Sequence, residues 1–150
     1  MFMEKNQIII RYGTDVSAAV QELLKAAELE KYVSQNMKIR IKPNLVVGKP
    51  AASGATTSPE IVEEIILYLQ EHGCSDIAVC ESSWVGEDTG RAFTACGYDG
   101  IADRRGVKLI NLNKTKTVKK TAGDESLSVS REILEADLLI NVPVLKGHCQ

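Results

Sequence analysis

The feature that most constrains the fold is an alternation. Short apolar, β-branched runs are separated by longer stretches with apolar residues at helical spacing. The runs are Gln7 to Tyr12 around Ile8-Ile9-Ile10, Met37 to Ile41, Asp76 to Cys80, Val107 to Asn111 and Leu138 to Val142. Behind a cap at Thr14 or Asp15, the residues Val16, Ala19, Val20, Leu23, Leu24 and Ala27 mark one helical face. Ile61, Val62, Ile65, Ile66 and Leu69 mark a second, on a helix running from Pro59 to about His72 with Gly73 just past its end. Glu87 to Cys96 reads as a third helix, then a turn at Gly97-Tyr98-Asp99-Gly100 and a short helix to Arg105; Arg131 to Glu135 is a brief helical turn. Strands alternating with helices predict an α/β fold: a mainly parallel sheet flanked by helices, three-layered and Rossmann-like. Thr115 to Val129, rich in Lys, Thr and Ser around Gly123-Asp124, predicts a small exposed hairpin. In the second run Lys38, Arg40 and Lys42 alternate with apolar residues, which predicts an edge strand.

The chain has 150 residues, which suits a single α/β domain over 1–150. A chain of this size buries about 70% of the surface its unfolded form exposes, so it supports a real core. Its net charge of -2 argues neither for a polyanion partner nor for a membrane surface, and no nucleic-acid or membrane partner is expected. Lys114, Lys116, Lys119 and Lys120 lack aromatic neighbours and read as a solvated hairpin face. No apolar run approaches the roughly 20 residues of a membrane span, and MFMEKNQIII has no signal-peptide core. These readings predict a cytoplasmic protein. The chain stops soon after its last strand with no covering helix to follow, and it reads as a domain truncated at the C-terminus.

Cys74, Cys80, Cys96 and Cys149 show no C-x-x-C spacing and no His-rich company, so no metal site is expected from this chain alone. In a reducing compartment they read as free, mostly buried thiols. Cys149 lies beside His148, but a reactive Cys-His pair depends on spatial rather than sequential adjacency. No GxGxxG follows the first run and no GxxxxGK[ST] occurs, so neither a dinucleotide fingerprint nor a P-loop is present.

The candidate site begins with Ile39 to Glu60, where a strand, a polar strand end, a small-residue loop and a helix start follow one another. Pro59 at the first helical position makes Ser58 the N-cap; alternatively Thr57 is the N-cap, with Glu60 as its capping-box partner. Either way Thr56, Thr57 and Ser58 sit at a helix N-terminus, which favours an anion. In open α/β sheets ligands bind beyond the carboxyl ends of the strands. Lys42 and Asn44 end one strand, Glu81, Ser82 and Ser83 another, and Asn141 with Lys146 and His148 the last. This set could hold a small anionic ligand with Lys42 and Lys146, and could use Glu81, His148 or Lys146 in proton transfer. Each residue also has a plain role: the lysines as solvated charges, Glu81 as a cap, Asn44 and Asn141 as partners of loop backbone, and His148 as a surface histidine.

KPNLV at Lys42–Val46, ATTSPE at Ala55–Glu60, ESS at Glu81–Ser83, AFTACGY at Ala92–Tyr98 and INVPVLKGH at Ile140–His148 occur in this order. The ordered set covers nearly the whole chain and resembles the domain of unknown function 362 family. The resemblance implies association with a ferredoxin-type domain or protein and a 4Fe-4S cluster outside this chain. It also implies a distant, fold-level likeness to nickel-pincer lactate racemases. Family members continue past the Lys-x-His element into a segment with Thr, Lys and Asn, and they commonly carry Gly where this chain has Cys80 before ESS. Three functions follow as expectations: the ligand-binding part of an iron–sulfur-linked redox protein; an isomerase or transferase acting on a small carboxylate or phosphorylated compound; or a non-catalytic binding or assembly module.

Overall fold

The computed structural model describes residues 7–147. In chain order its regular elements are α1 (Val16–Ala26), β1 (Ile39–Pro43), α2 (Pro59–Glu71), β2 (Ile77–Glu81), α3 (Thr89–Ala95) and α4 (Tyr98–Arg105). There follow β3 (Lys108–Asn111), β4 (Thr117–Ala122), β5 (Glu125–Ser130), α5 (Arg131–Leu134) and β6 (Leu138–Val142). Four strands form one parallel sheet in the order β3-β2-β1-β6, and β4 with β5 forms a separate antiparallel hairpin. The register sets Ile41 beside Val79 and Ile140, and Lys42 beside Asn141.

The sheet separates two apolar clusters. On one face Ile39, Ile41, Ile77 and Val79 pack with Leu24 of α1, Val62, Ile66 and Leu69 of α2, Phe93 of α3 and Tyr98 and Ile101 of α4. Each fully buried aliphatic side chain here stabilises the fold by about 1.5–3 kcal/mol. On the other face a smaller cluster joins Ala78, Cys80, Ile110 and Leu112 to Ile133 of α5. Helices therefore lie on both faces, as the alternation predicts.

Local chemistry sets the helix ends. Asp15 caps α1 by accepting from the Ala18 N–H at 3.0 Å, and Asp88 caps α3 by accepting from the Arg91 N–H at 2.8 Å. α2 ends in a Schellman arrangement: the Gly73 N–H donates to the Gln70 carbonyl and the Cys74 N–H to the Leu69 carbonyl, with Gly73 at φ +81°. Gly97 directly follows the Cys96 C-cap of α3 and is the N-cap of α4, so Tyr98, Asp99 and Gly100 of the predicted turn open α4.

Two expectations are corrected. β1 is an interior strand with neighbours on both sides. Its alternating charges mimic an edge because each finds a partner. Arg40, which is buried, reaches Glu132 Oε1 at 2.6 Å and Asp76 Oδ1 at 2.9 Å, and Lys38 reaches Glu132 and Glu135. A charge paired by hydrogen bonds is tolerated inside a sheet where an unpaired one is not. The second correction concerns Gln7 to Tyr12, which form no strand. A β-branched run becomes a strand only by pairing, and Ile8 to Tyr12 join no ladder among the described residues.

Candidate functional site

The carboxyl ends of β1, β2 and β6 meet the start of α2, and a network of side chains ties them together. Thr57 is its centre. Its Oγ1 accepts from the Asn44 N–H at 2.8 Å and donates to the Val142 carbonyl at 2.7 Å. Its own N–H donates to the Asn44 carbonyl, and the Tyr98 hydroxyl donates to the Thr57 carbonyl at 3.2 Å. One buried residue thus joins β1, β6, α2 and α4.

Glu81 holds the loop after β1. Its carboxylate is 2% exposed and accepts from the Leu45 N–H, the Ser82 N–H and Lys42 Nζ, at 2.7, 2.7 and 2.8 Å. Beside it, Ser83 Oγ donates to the Leu45 carbonyl and the Trp84 N–H to the Val46 carbonyl. Further along the loop, Thr56 Oγ1 and the Cys96 thiol both donate to the Lys49 carbonyl, and Glu87 Oε2 accepts from the Gly48 N–H. The Gly48 N–H and the Arg91 guanidinium hold the Glu87 carboxyl below its usual range. Burial pushes the Cys96 thiol up.

The sequence-predicted residues therefore divide. Thr56, Thr57, Glu81 and Ser83 are buried, and their bonding goes to loop backbone. Lys42, Asn44, Ser58, Ser82, Asn141 and Lys146 keep surface at the edge. Lys146 Nζ donates to Asn44 Oδ1 at 2.8 Å and to the Ala55 carbonyl, which brings the last segment against the start of α2. Neither acceptor is charged, and no carboxylate lies within ion-pair distance of Lys146 among the described residues. Ser58 is the N-cap of α2 but makes no side-chain capping bond. With Pro59 in the first position, the Glu60 and Ile61 N–H groups find no capping partner among the described residues. His148 and Cys149 lie outside the described residues.

Sequence reasoning missed the structural parts of Tyr98, Glu87 and Cys96. Tyr98 and Cys96 lie inside the AFTACGY motif, which marked them as a unit but said nothing of their reach across to the loop after β1. Among the described residues no group of three His, Cys, Asp or Glu side chains is arranged to hold a metal ion. No helix of the described residues is long and apolar enough to cross a membrane.

Chemically, this edge offers a cation on neutral oxygens, a second cation paired to a buried carboxylate, exposed amide and hydroxyl groups, and an uncapped helix end. Comparison with known proteins places the chain. It is 26% identical over 119 residues to the thylakoid-associated protein sll1697 of Synechocystis, a match covering 79% of this chain and 36% of that relative. The chain thus spans about a third of the length of the curated relative it matches. No solved structure matches it. The family described as Domain of unknown function (DUF362) matches residues 39–150, a span holding β1 to β6 and all the residues that tie the site together, and the chain belongs to that family.

Proposed function

We propose that the carboxyl edge of the sheet binds a small anionic ligand, and that the domain is the ligand-binding part of a redox protein served by an iron–sulfur module outside this chain. One observation carries the first half. The Lys146 ammonium rests on the Asn44 and Ala55 oxygens, uncompensated by a carboxylate among the described residues, beside the uncapped N-terminus of α2. Positive charge and free backbone N–H groups at one point favour an anion. Lys42 and Asn141, side by side in the register of β1 and β6, extend the polar surface. The second half is supported by the family resemblance alone.

An isomerase or transferase is the second reading of the same edge, and the bonding of Glu81 speaks against it. A general acid or base exchanges a proton with its substrate, and the Glu81 carboxylate is already held by three donors. Its position suits a brace for the loop. A thermal-shift series with phosphate, nucleotides and small carboxylates tests the binding reading. A ligand at one hundred times its dissociation constant adds roughly 2.7 kcal/mol to stability, a clear shift for a domain of this size. For the redox half, the full-length protein purified without air should contain iron and absorb broadly in the visible. A colourless, iron-free preparation overturns that half and leaves the binding half standing.

A further inference from the structure

We infer that residues 8–12, which lie open in the structure, form a strap that closes onto the edge of β6 as a fifth parallel strand. Among the described residues β6 pairs with β1 alone, and its outer backbone groups have no ladder partner there. Such an edge is a template for another strand. Beside it, between α1, α2 and β6, lies an apolar cleft of about 420 Å³ lined by Val20, Leu23, Ile65, Ile140 and Val142. Arg11 and Gly13 already line this cleft, so the strap is tethered at its mouth. Meanwhile Ile8, Ile10 and Tyr12 are 82%, 60% and 92% exposed, a row of large apolar residues on a segment with no strand or helix of its own.

Topology selects the direction. β1 passes through α2 to β2, and β2 passes through α3 and α4 to β3. Both steps move the same way along the sheet, and all three helices lie on the same face. A strand beyond β6, followed by α1 on that face and then β1, takes a step of the same direction and the same hand. Parallel crossovers are nearly all of one hand, so the neighbouring steps show that this one is allowed. Five residues at about 3.3 Å each span about 17 Å, which matches the five residues of β6. Closing also sets Arg11 near Asn141 at the carboxyl edge, a consequence that bears on function only if the anion reading holds.

Hydrogen exchange on the whole protein tests the strap without reference to any ligand. We expect the amides of residues 8–12 to exchange at least tenfold more slowly than in an unstructured peptide, at any protein concentration. In Ile9→Pro, which removes one donor and fixes one φ angle, exchange should rise both there and in Leu138 to Val142. Three outcomes overturn the proposal: unprotected amides at residues 8–12 in the wild type, protection that grows with protein concentration and so comes from another copy, or a β6 unchanged by Ile9→Pro. Ile8→Lys, which leaves the backbone donor in place, should raise exchange less than Ile9→Pro; an equal effect contradicts a hydrogen-bonded ladder.

Discussion

Thr57 shows how a residue chosen for ligand chemistry can serve the fold. Its hydroxyl satisfies the part-buried N–H of Asn44 and the part-buried carbonyl of Val142 at once. Thr57→Val keeps the shape and removes both bonds. Each orphaned group, being only part-buried, costs about 1–2 kcal/mol, at the low end of the range for buried groups, so urea denaturation should show a loss of about 2–4 kcal/mol. Thr57→Ser, which removes one methyl group and keeps the hydroxyl, should lose only about 1 kcal/mol. The thiols offer a second check at this scale. Burial pushes Cys80 up to about 12 and raises Cys74 and Cys96 as well. At pH 8 a thiol reagent should modify these three slowly in the native protein and at the ordinary rate in urea, because the thiolate is the reactive form. The residue types at the strand ends were legible in the sequence, but their roles were not. Lys42, Asn44 and Lys146 look alike in sequence whether they face a ligand or a carbonyl; only the fold shows that Lys146 reaches Asn44 across about a hundred residues.

At the scale of elements, the strong periodic signals held. α2 starts at Pro59 and ends before Gly73 because both punctuating residues act through backbone geometry, which is local and readable. The hairpin of β4 and β5 follows from its turn at Gly123 and Asp124. What was not readable was pairing. Whether β1 is an edge or interior strand depends on partners distant in sequence, Asp76 and Glu132, which neutralise Arg40. The same logic hid the state of Gln7 to Tyr12. The ion pairs also set a pH dependence. Burial would raise the Glu132 carboxyl, but Arg40 and Lys38 hold it below its usual value of 4.5. Arg104 and Arg105 hold the Glu63 carboxyl low in the same way, against the opposing effect of burial. Between each lowered value and 4.5 the unfolded chain binds more protons than the folded one. Stability is therefore full above about pH 4.5 and falls as acid takes the pH down through the folded values. Urea midpoints measured from pH 7 to pH 3 should drop below about pH 4.5, and the drop should be shallower in Glu63→Gln; an identical profile contradicts the assignment.

Among the described residues, the chain steps one way along a parallel sheet through α2, α3 and α4 on one face, and after the separate hairpin returns to β6 through α5 on the other. Alternation alone made this class legible, because parallel strands need crossovers and crossovers need helices. The same architecture collects the strand ends on one edge, where a ligand is expected in open α/β folds. That edge proved to be two things: an internal brace made by Thr57, Glu81 and Ser83, and a polar rim carrying Lys42, Asn141 and Lys146. Whether the rim binds an anion is decided by a thermal-shift titration with phosphate, nucleotides and small carboxylates. A saturable rise in Tm is expected for at least one anion, lost in Lys146→Ala and weakened in Lys42→Ala while both variants melt cooperatively without it. A rise that survives Lys146→Ala unchanged, or no rise with any anion in the full-length protein, contradicts it.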